Sequence, residues 1–255
     1  MKICFCFLTY YGLERIDIWN NFFKDIDTNL YKVYIHPKYS NFSIDKYLFP
    51  INIVQNRVET NGKTNISIVN ATIRLLENAY NDSNKNDNNQ ELTHYIFLSQ
   101  SCIPIYNFNT IYKTVILFDK SVIGKKDNNK KERYYQLNMN LKKYISYTQF
   151  TKQQPNMVLI KDDVRKIITN NFTNYFSNMI CPDEHYFINI LLYLLGSKII
   201  FNQIVFCNYN LNATQGLDFN YVDEKLIKSI RNMGFLFIRK VGNKSLVYEK
   251  IFEKY

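Results

Sequence analysis

The chain has 255 residues, 46% hydrophobic and 21% charged, which suits one large globular domain and excludes disorder, collagen and coiled coil as the main class. No apolar run reaches the ~18–20 residues that a membrane span needs. The net charge of +10 rests on 25 lysines and only seven arginines, and Asn, Lys, Ile, Tyr and Phe supply 130 of the residues; all five have AT-rich codons, so coding bias explains much of the charge.

Lys2 to Tyr10 reads as a buried strand rich in β-formers, broken by Gly12. Glu14 to Ile26 places Ile18, Trp19, Phe22, Phe23 and Ile26 on one helical face. Tyr31 to His36 is a second strand, stopped by Pro37, and Ile51 to Val54 a third. A polar loop around Gly62 leads into a helix from Asn65 to Tyr80, and the Asn-rich stretch from Asn81 to Glu91 reads as a surface loop. A strand from Tyr95 to Ser99 and a helix from Asn107 to Phe118 follow, then a charged loop from Lys125 to Arg133. Met157 to Ile160 is a short strand. Asp162 to Asn170 is a helix whose first two acids suit its positive end. Asp183 to Leu195 is a further helix, Ile204 to Cys207 a strand, Asp223 to Asn232 a helix, Phe235 to Ile238 a strand, and a last helix starts near Ser245. Strands alternating with helices from the first residues argue for a layered α/β fold without an interdomain linker.

Generic catalytic signatures are missing. Seven glycines form neither GxGxxG nor GxxxxGK, which removes P-loop and dinucleotide-binding readings. Cys4, Cys6, Cys102, Cys181 and Cys207 form no CxxC pair, so no zinc site is expected, and reduced, buried thiols fit a cytoplasmic protein. His36, His94 and His185 lie far apart. Asp25-Ile26-Asp27 has the DxD form that holds a divalent metal in many sugar-nucleotide enzymes, but it falls at a helix end rather than after a strand. Lysine and arginine do not cluster beside aromatics, so no nucleic-acid partner is expected, whereas a phosphate-bearing ligand fits the charge.

Two segments carry chemistry. Pro182-Asp183-Glu184-His185-Tyr186 opens a helix with two carboxylates. They either complement the helix dipole or provide a general base kept ionised by it. Phe235 to Lys240 is an apolar strand ending in Arg239 and Lys240, which form either a solvated terminus or a clamp on a diphosphate.

In order, these pieces resemble the core-2/I-branching β-1,6-N-acetylglucosaminyltransferase family, with the plant and viral branches the nearer likeness. The likeness runs from Ile3–Thr9, Trp19 and Val33–His36 through Asn61-Gly62, Ser67–Ala71 and Phe97–Phe108. It continues through Arg133-Tyr134, Thr148–Phe150 and Pro182–Phe187 to Phe237–Lys240. It implies a glycosyltransferase-A-type three-layer α/β/α sandwich with a mixed, mainly parallel central sheet. One domain, 1–255, would have a nucleotide-sugar half to about residue 124 and an acceptor and catalytic half after it. It implies a UDP-sugar donor, inversion by single displacement, no metal and no other cofactor, and a glycan or glycosylated acceptor. Glu184 matches the family's base, and Arg239 and Lys240 match the groups that neutralise the leaving UDP. Thr9, His36 and Gly62 are expected around the nucleotide, since α/β sheets bind ligands beyond the carboxyl ends of their strands. Ser101 and Cys102 are expected near the donor sugar, and Arg133, Tyr134 and Tyr209 on the acceptor side. His36 and Cys102 could equally be structural, and Arg133 part of a solvated basic loop. Asn61, Phe150 and Tyr209 stand where the family has aromatics or tryptophan, which leaves the sugar open. Golgi members carry a membrane anchor and this chain shows none, so a cytoplasmic enzyme is expected. The rival readings are a catalytically silent glycan- or nucleotide-binding module and a transferase of xylose or another sugar.

Overall fold

The computed structural model describes residues 1–41, 43–61, 65–85, 91–126, 131–208 and 216–252. The chain opens with β1 (Lys2–Thr9), α1 (Ile16–Phe23), β2 (Tyr31–Pro37) and β3 (Asn52–Ile53). Then come α2 (Ser67–Lys85), β4 (Leu92–Ser99), β5 (Ile103–Pro104) and α3 (Phe108–Val115), the last capped by the Asn107 side chain, which accepts the Thr110 N–H at 2.9 Å. β6 (Ser121–Lys126), α4 (Met139–Lys142), β7 (Lys152–Ile160) and α5 (Lys161–Thr169) follow. The remainder holds α6 (Tyr186–Asn189), β8 (Ile199–Ile200), β9 (Val205–Cys207), β10 (Tyr221–Val222), α7 (Glu224–Asn232), β11 (Phe237–Arg239) and β12 (Leu246–Val247).

Seven strands form the central sheet in the order β3-β2-β1-β4-β7-β6-β8. β7 alone runs against its neighbours β4 and β6, and the other pairings are parallel. This is the mixed, mainly parallel sheet that was expected. β1 is apolar on both faces because both are covered. Cys4 and Cys6 join Tyr34, Tyr95 and Met157 under α2, α5 and α6, while Ile3, Phe5 and Phe7 join Val33, Ile35 and Leu98 under α1 and α3. The Cys4 and Cys6 sulfurs lie 3.5 Å apart as free thiols. A small sheet, β5-β11-β9, packs beside the second layer, with β11 antiparallel to β5 and parallel to β9. Residue 124 falls inside β6, and the central sheet takes strands from both sides of it. Among the described residues no helix is long and apolar enough to cross a membrane.

Several expected boundaries are corrected. β7 begins at Lys152, not Met157, because its polar head pairs with the tail of β6: Lys125 faces Gln153 and Lys126 faces Lys152. The charged stretch at Lys125 therefore starts inside a strand. α2 runs on to Lys85, into the expected loop, whose residues 86–90 lie outside the described ones. The single helix expected from Asp183 to Leu195 is a 3-10 turn at Pro182–Glu184, then α6, then a π turn at Ile190–Leu194. No final helix forms at Ser245; Leu246 and Val247 pair in parallel with β10 instead. Of the two acids opening α5, Asp162 is exposed, but Asp163 is buried and accepts hydrogen bonds from Ser121 and Ser197 at 2.6 Å, tying α5 to β6.

Trp19 couples α1 to the loop after β4. It is fully buried, meets Phe5 and Phe7 edge to face, and its indole N–H donates to the Cys102 carbonyl at 3.1 Å. Trp19→Phe orphans that carbonyl and leaves a cavity, so it is expected to cost about 2–3 kcal/mol of stability, read as a lower urea midpoint by circular dichroism.

Candidate active site

The direction of the strands gathers the chemistry on one edge of the sheet. β1, β2, β4 and β6 run the same way and end there, and β7, running back, begins there. Thr9 lies beside Pro37, Leu8 beside Ser99, and Lys126 beside Lys152. β11 brings Arg239 to this edge, where its Nη1 donates to Asn156 Oδ1 at 3.4 Å. Asn156 is held by its own Nδ2, which donates to the Phe97 carbonyl at 3.3 Å. A cavity of about 180 Å³ lies here, with Ser99, Gln153, Asn156, Asp183 and Arg239 on its walls and the apolar side chains of Phe97 and Phe187 beside them. An open cleft of about 560 Å³ lies beyond the ends of β2 and β3, bordered by Lys38, Arg57 and Glu59.

The carboxylates sit on a tight turn. Cys181 adopts a left-handed backbone with φ of 52°, and Pro182–Glu184 make one 3-10 turn. The residue before it is clamped twice: Arg133 donates to the Ile180 carbonyl, and the Ile180 N–H donates to Gln136 Oε1 at 2.9 Å. A three-residue turn has no helix dipole to hold a charge, so the expectation of a helix field at Glu184 is overturned. Lysine supplies the positive charge instead: Lys152 Nζ lies 2.5 Å from Glu184 Oε2. Lys152 also faces Lys126 across an antiparallel pair, where like charges repel. Burial and the Lys152 charge hold the Lys126 amine below its usual range.

Asp183 points differently from its neighbour, lining the cavity. Burial and then the Glu184 charge push its carboxyl up to about 6. His185 stacks on Phe150 with ring centres 4.7 Å apart, and its Nδ1 lies 3.1 Å from the Thr151 carbonyl, which only a protonated Nδ1 can serve. Burial pushes its pKa down to about 4, so the ring is neutral at pH 7 and works as a strut.

The other expected residues divide. Thr9 and His36 are buried at the strand ends beside the open cleft; Thr9 Oγ1 and His36 Nδ1 have no hydrogen-bond partner among the described residues. His36 Nε2 accepts the Val58 N–H at 3.0 Å, so it also holds the cleft wall. Cys102 is fully buried with its sulfur 3.2 Å from Ser99 Oγ, behind the cavity wall, and burial raises its thiol pKa. Ser101 is buried, and its carbonyl accepts the Val241 N–H at 2.9 Å. Arg239 Nε is buried without a partner among the described residues. Lys240 is half-buried, and its carbonyl accepts the Phe219 N–H at 2.9 Å. Tyr134 packs edge-on against Tyr147 and Phe150, near the carboxylate turn. Gly62 and Tyr209 lie outside the described residues. Asp25 and Asp27 are exposed at the other end of the sheet: the Leu30 N–H donates to the Asp27 carbonyl, and the Leu30 carbonyl receives the N–H of Ile3 where β1 begins. Among the described residues no three His, Cys, Asp or Glu side chains converge as metal ligands.

Sequence reasoning missed Lys152, Gln153, Asn156 and the inward aim of Asp183. The signal was the polar run Lys152–Asn156 ahead of an apolar strand, a pattern that suits a strand whose head leaves the core for a site.

A family model described as Branch: Core-2/I-Branching enzyme matches residues 3–233, which leaves Arg239 and Lys240 beyond the matched stretch. Among solved structures the chain is similar to the apo form of WbbM, described as a bifunctional glycosyltransferase. That likeness has 8% identity and a TM-score of 0.44 over 94% of this chain, which spans 45% of that one. No curated protein matches the chain in sequence.

Because the folded state raises the Asp183 pKa, its ionisation costs stability, and that cost grows as pH rises from about 4 through about 6. Asp183→Asn should therefore raise the melting temperature at pH 8 by roughly 2–5 °C and change it little near pH 4. A variant melting below the wild type at pH 8 would mean that the ionised carboxylate is held by favourable partners.

Proposed function

The chain belongs to the core-2/I-branching enzyme family, a family of glycosyltransferases, and we propose that it is a metal-independent, inverting member with a glycosyltransferase-A-type fold. In this reading it moves a sugar, N-acetylglucosamine first among the candidates, from a UDP-sugar to a hydroxyl of a glycan or glycosylated acceptor, in the cytoplasm. The observation that carries the reading is the meeting of a carboxylate turn with Arg239 on the edge where the parallel strands end, the place where α/β sheets bind their ligands.

Each residue then has its own part in the reaction. Glu184 takes the proton from the acceptor hydroxyl, and that oxygen attacks the anomeric carbon from the face opposite UDP. The bond to the phosphate oxygen breaks through an oxocarbenium-like transition state, and UDP leaves with an added negative charge. Arg239 and Lys240 neutralise that charge, the work a divalent cation does elsewhere. Lys126 and Lys152 add to the positive field, and Lys152 orients Glu184 until the acceptor arrives. Lys152 meets Glu184 through Oε2, and in this reading Oε1 serves the acceptor. Thr9 and His36 border the nucleotide, Ser101 and Cys102 back the sugar, and Arg133 and Tyr134 support the acceptor side, Arg133 by holding the carboxylate turn in place. The presence of Glu184 together with Arg239 and Lys240 favours an enzyme over a silent binding module.

Thermal stabilisation by UDP and UDP-sugars, with EDTA and with Mn²⁺, tests the donor site. Selective stabilisation in EDTA is expected. Stabilisation that requires Mn²⁺ would break the role given to Arg239 and Lys240. With the donor identified, Glu184→Gln is expected to lower kcat by about 10²–10⁴-fold while UDP affinity changes little. Full activity in that variant would remove Glu184 from the mechanism, and UDP binding with no turnover in the wild type would favour the binding module.

A further inference from the structure

Neighbouring carboxylates on the Pro182–Glu184 turn face different partners. Glu184 turns to Lys152, whereas Asp183 lines the cavity that Arg239 closes on another side. At about 180 Å³ that cavity is smaller than the ~300–1,000 Å³ of pockets for drug-sized ligands, and a single sugar ring suits it. Its walls mix hydrogen-bonding groups with apolar ones. Gln153 is fixed by accepting the Ile188 N–H at 2.8 Å, and Asn156 by its bond to the Phe97 carbonyl. Phe97 and Phe187 offer carbon surface of the kind that packs on the C–H face of a pyranose. In a UDP-sugar the ring is joined to the phosphate that Arg239 would hold, so the group beside Arg239 is the transferred sugar, not the acceptor.

We infer that Asp183 is the specificity-determining residue of a transferred-sugar subsite, its carboxylate accepting a hydrogen bond from a ring hydroxyl of the sugar seated in this cavity. The inference rests on the reading of the chain as a UDP-sugar transferase and deepens it. The turn thus serves both substrates. Asp183 reads the donor, and Glu184, one residue on, serves the acceptor from the other side. The cavity holds a cation as well: Arg239 lies on its wall, and its buried Nε has no hydrogen-bond partner among the described residues. Burial and then the Glu184 charge raise the Asp183 pKa to about 6, and a sugar hydroxyl would give its carboxylate a further donor.

The test compares affinities for UDP alone and for UDP-GlcNAc, UDP-Glc, UDP-Gal and UDP-xylose by calorimetry, in wild type, Asp183→Ala and the near-isosteric Asp183→Asn. In the wild type at least one UDP-sugar is expected to bind differently from UDP and from its epimer. Asp183→Ala is expected to hold UDP affinity within about 3-fold, to weaken the preferred UDP-sugar by about 10- to 100-fold and to flatten the discrimination between UDP-Glc and UDP-Gal. Asp183→Asn, able to accept through its amide oxygen, is expected to recover part of the loss. Where Asp183→Ala fails to fold by circular dichroism, Asp183→Asn carries the comparison alone. Unchanged UDP-sugar discrimination in a folded variant, or a loss shared equally with UDP, overturns the inference while leaving the transferase reading intact. A wild type that binds no UDP-sugar overturns both.

Discussion

The site depends on one strand running the wrong way. If β7 followed its parallel neighbours, its head would lie at the far end of the sheet, and Lys152, Gln153 and Asn156 would be there with it. Reversed, it delivers three polar side chains to the edge where β1, β2, β4 and β6 finish. Pairing with β6 sets the spacing of Lys152 and Gln153, and pairing with β4 begins at Met157, just past Asn156, so the polar head of β7 extends from a rigid sheet. Arg239 and the carboxylate turn are then brought to β7: the first reaches Asn156, the second Lys152.

Charge on this edge is held in tension. Lys126 and Lys152 face one another, and Asp183 and Glu184 are neighbours in sequence, so each sign is crowded against its own kind. The Lys152–Glu184 contact relieves both pairs at once. Such an arrangement spends stability on readiness, as sites that bind charged ligands do. It also gives part of the net charge of +10 a place in the fold, although coding bias accounts for much of the total.

How much was legible in the sequence follows from which residues are buried. β1, β2, β4 and the buried stripes of α1 and α2 could be read because burial on one or both faces imposes an apolar pattern on the chain itself. The tail of β6 and the head of β7 could not, since polar residues that leave the core for an edge look like a loop. The carboxylate turn was visible as a motif, yet its geometry was not: Tyr186 to Leu195 is so apolar, Asn189 apart, that a helix starting at Asp183 was the natural reading, and the left-handed Cys181 and the 3-10 turn leave no mark on that pattern. Lys152 was invisible for a different reason. A pairing across 32 positions of sequence is made by sheet register, and no local spacing records it.

Trp19 has a consequence outside chemistry. It is the chain's single tryptophan, among 21 tyrosines, and it is wholly shielded from water with its N–H on the Cys102 carbonyl. Excitation of the tyrosines drains by energy transfer into that one indole, and its emission reports a single location. The location is the joint behind the cavity, where the Cys102 sulfur touches Ser99. The protein thus carries an unlabelled optical probe of this edge of the sheet, one whose colour and intensity follow any shift of the turn after β4.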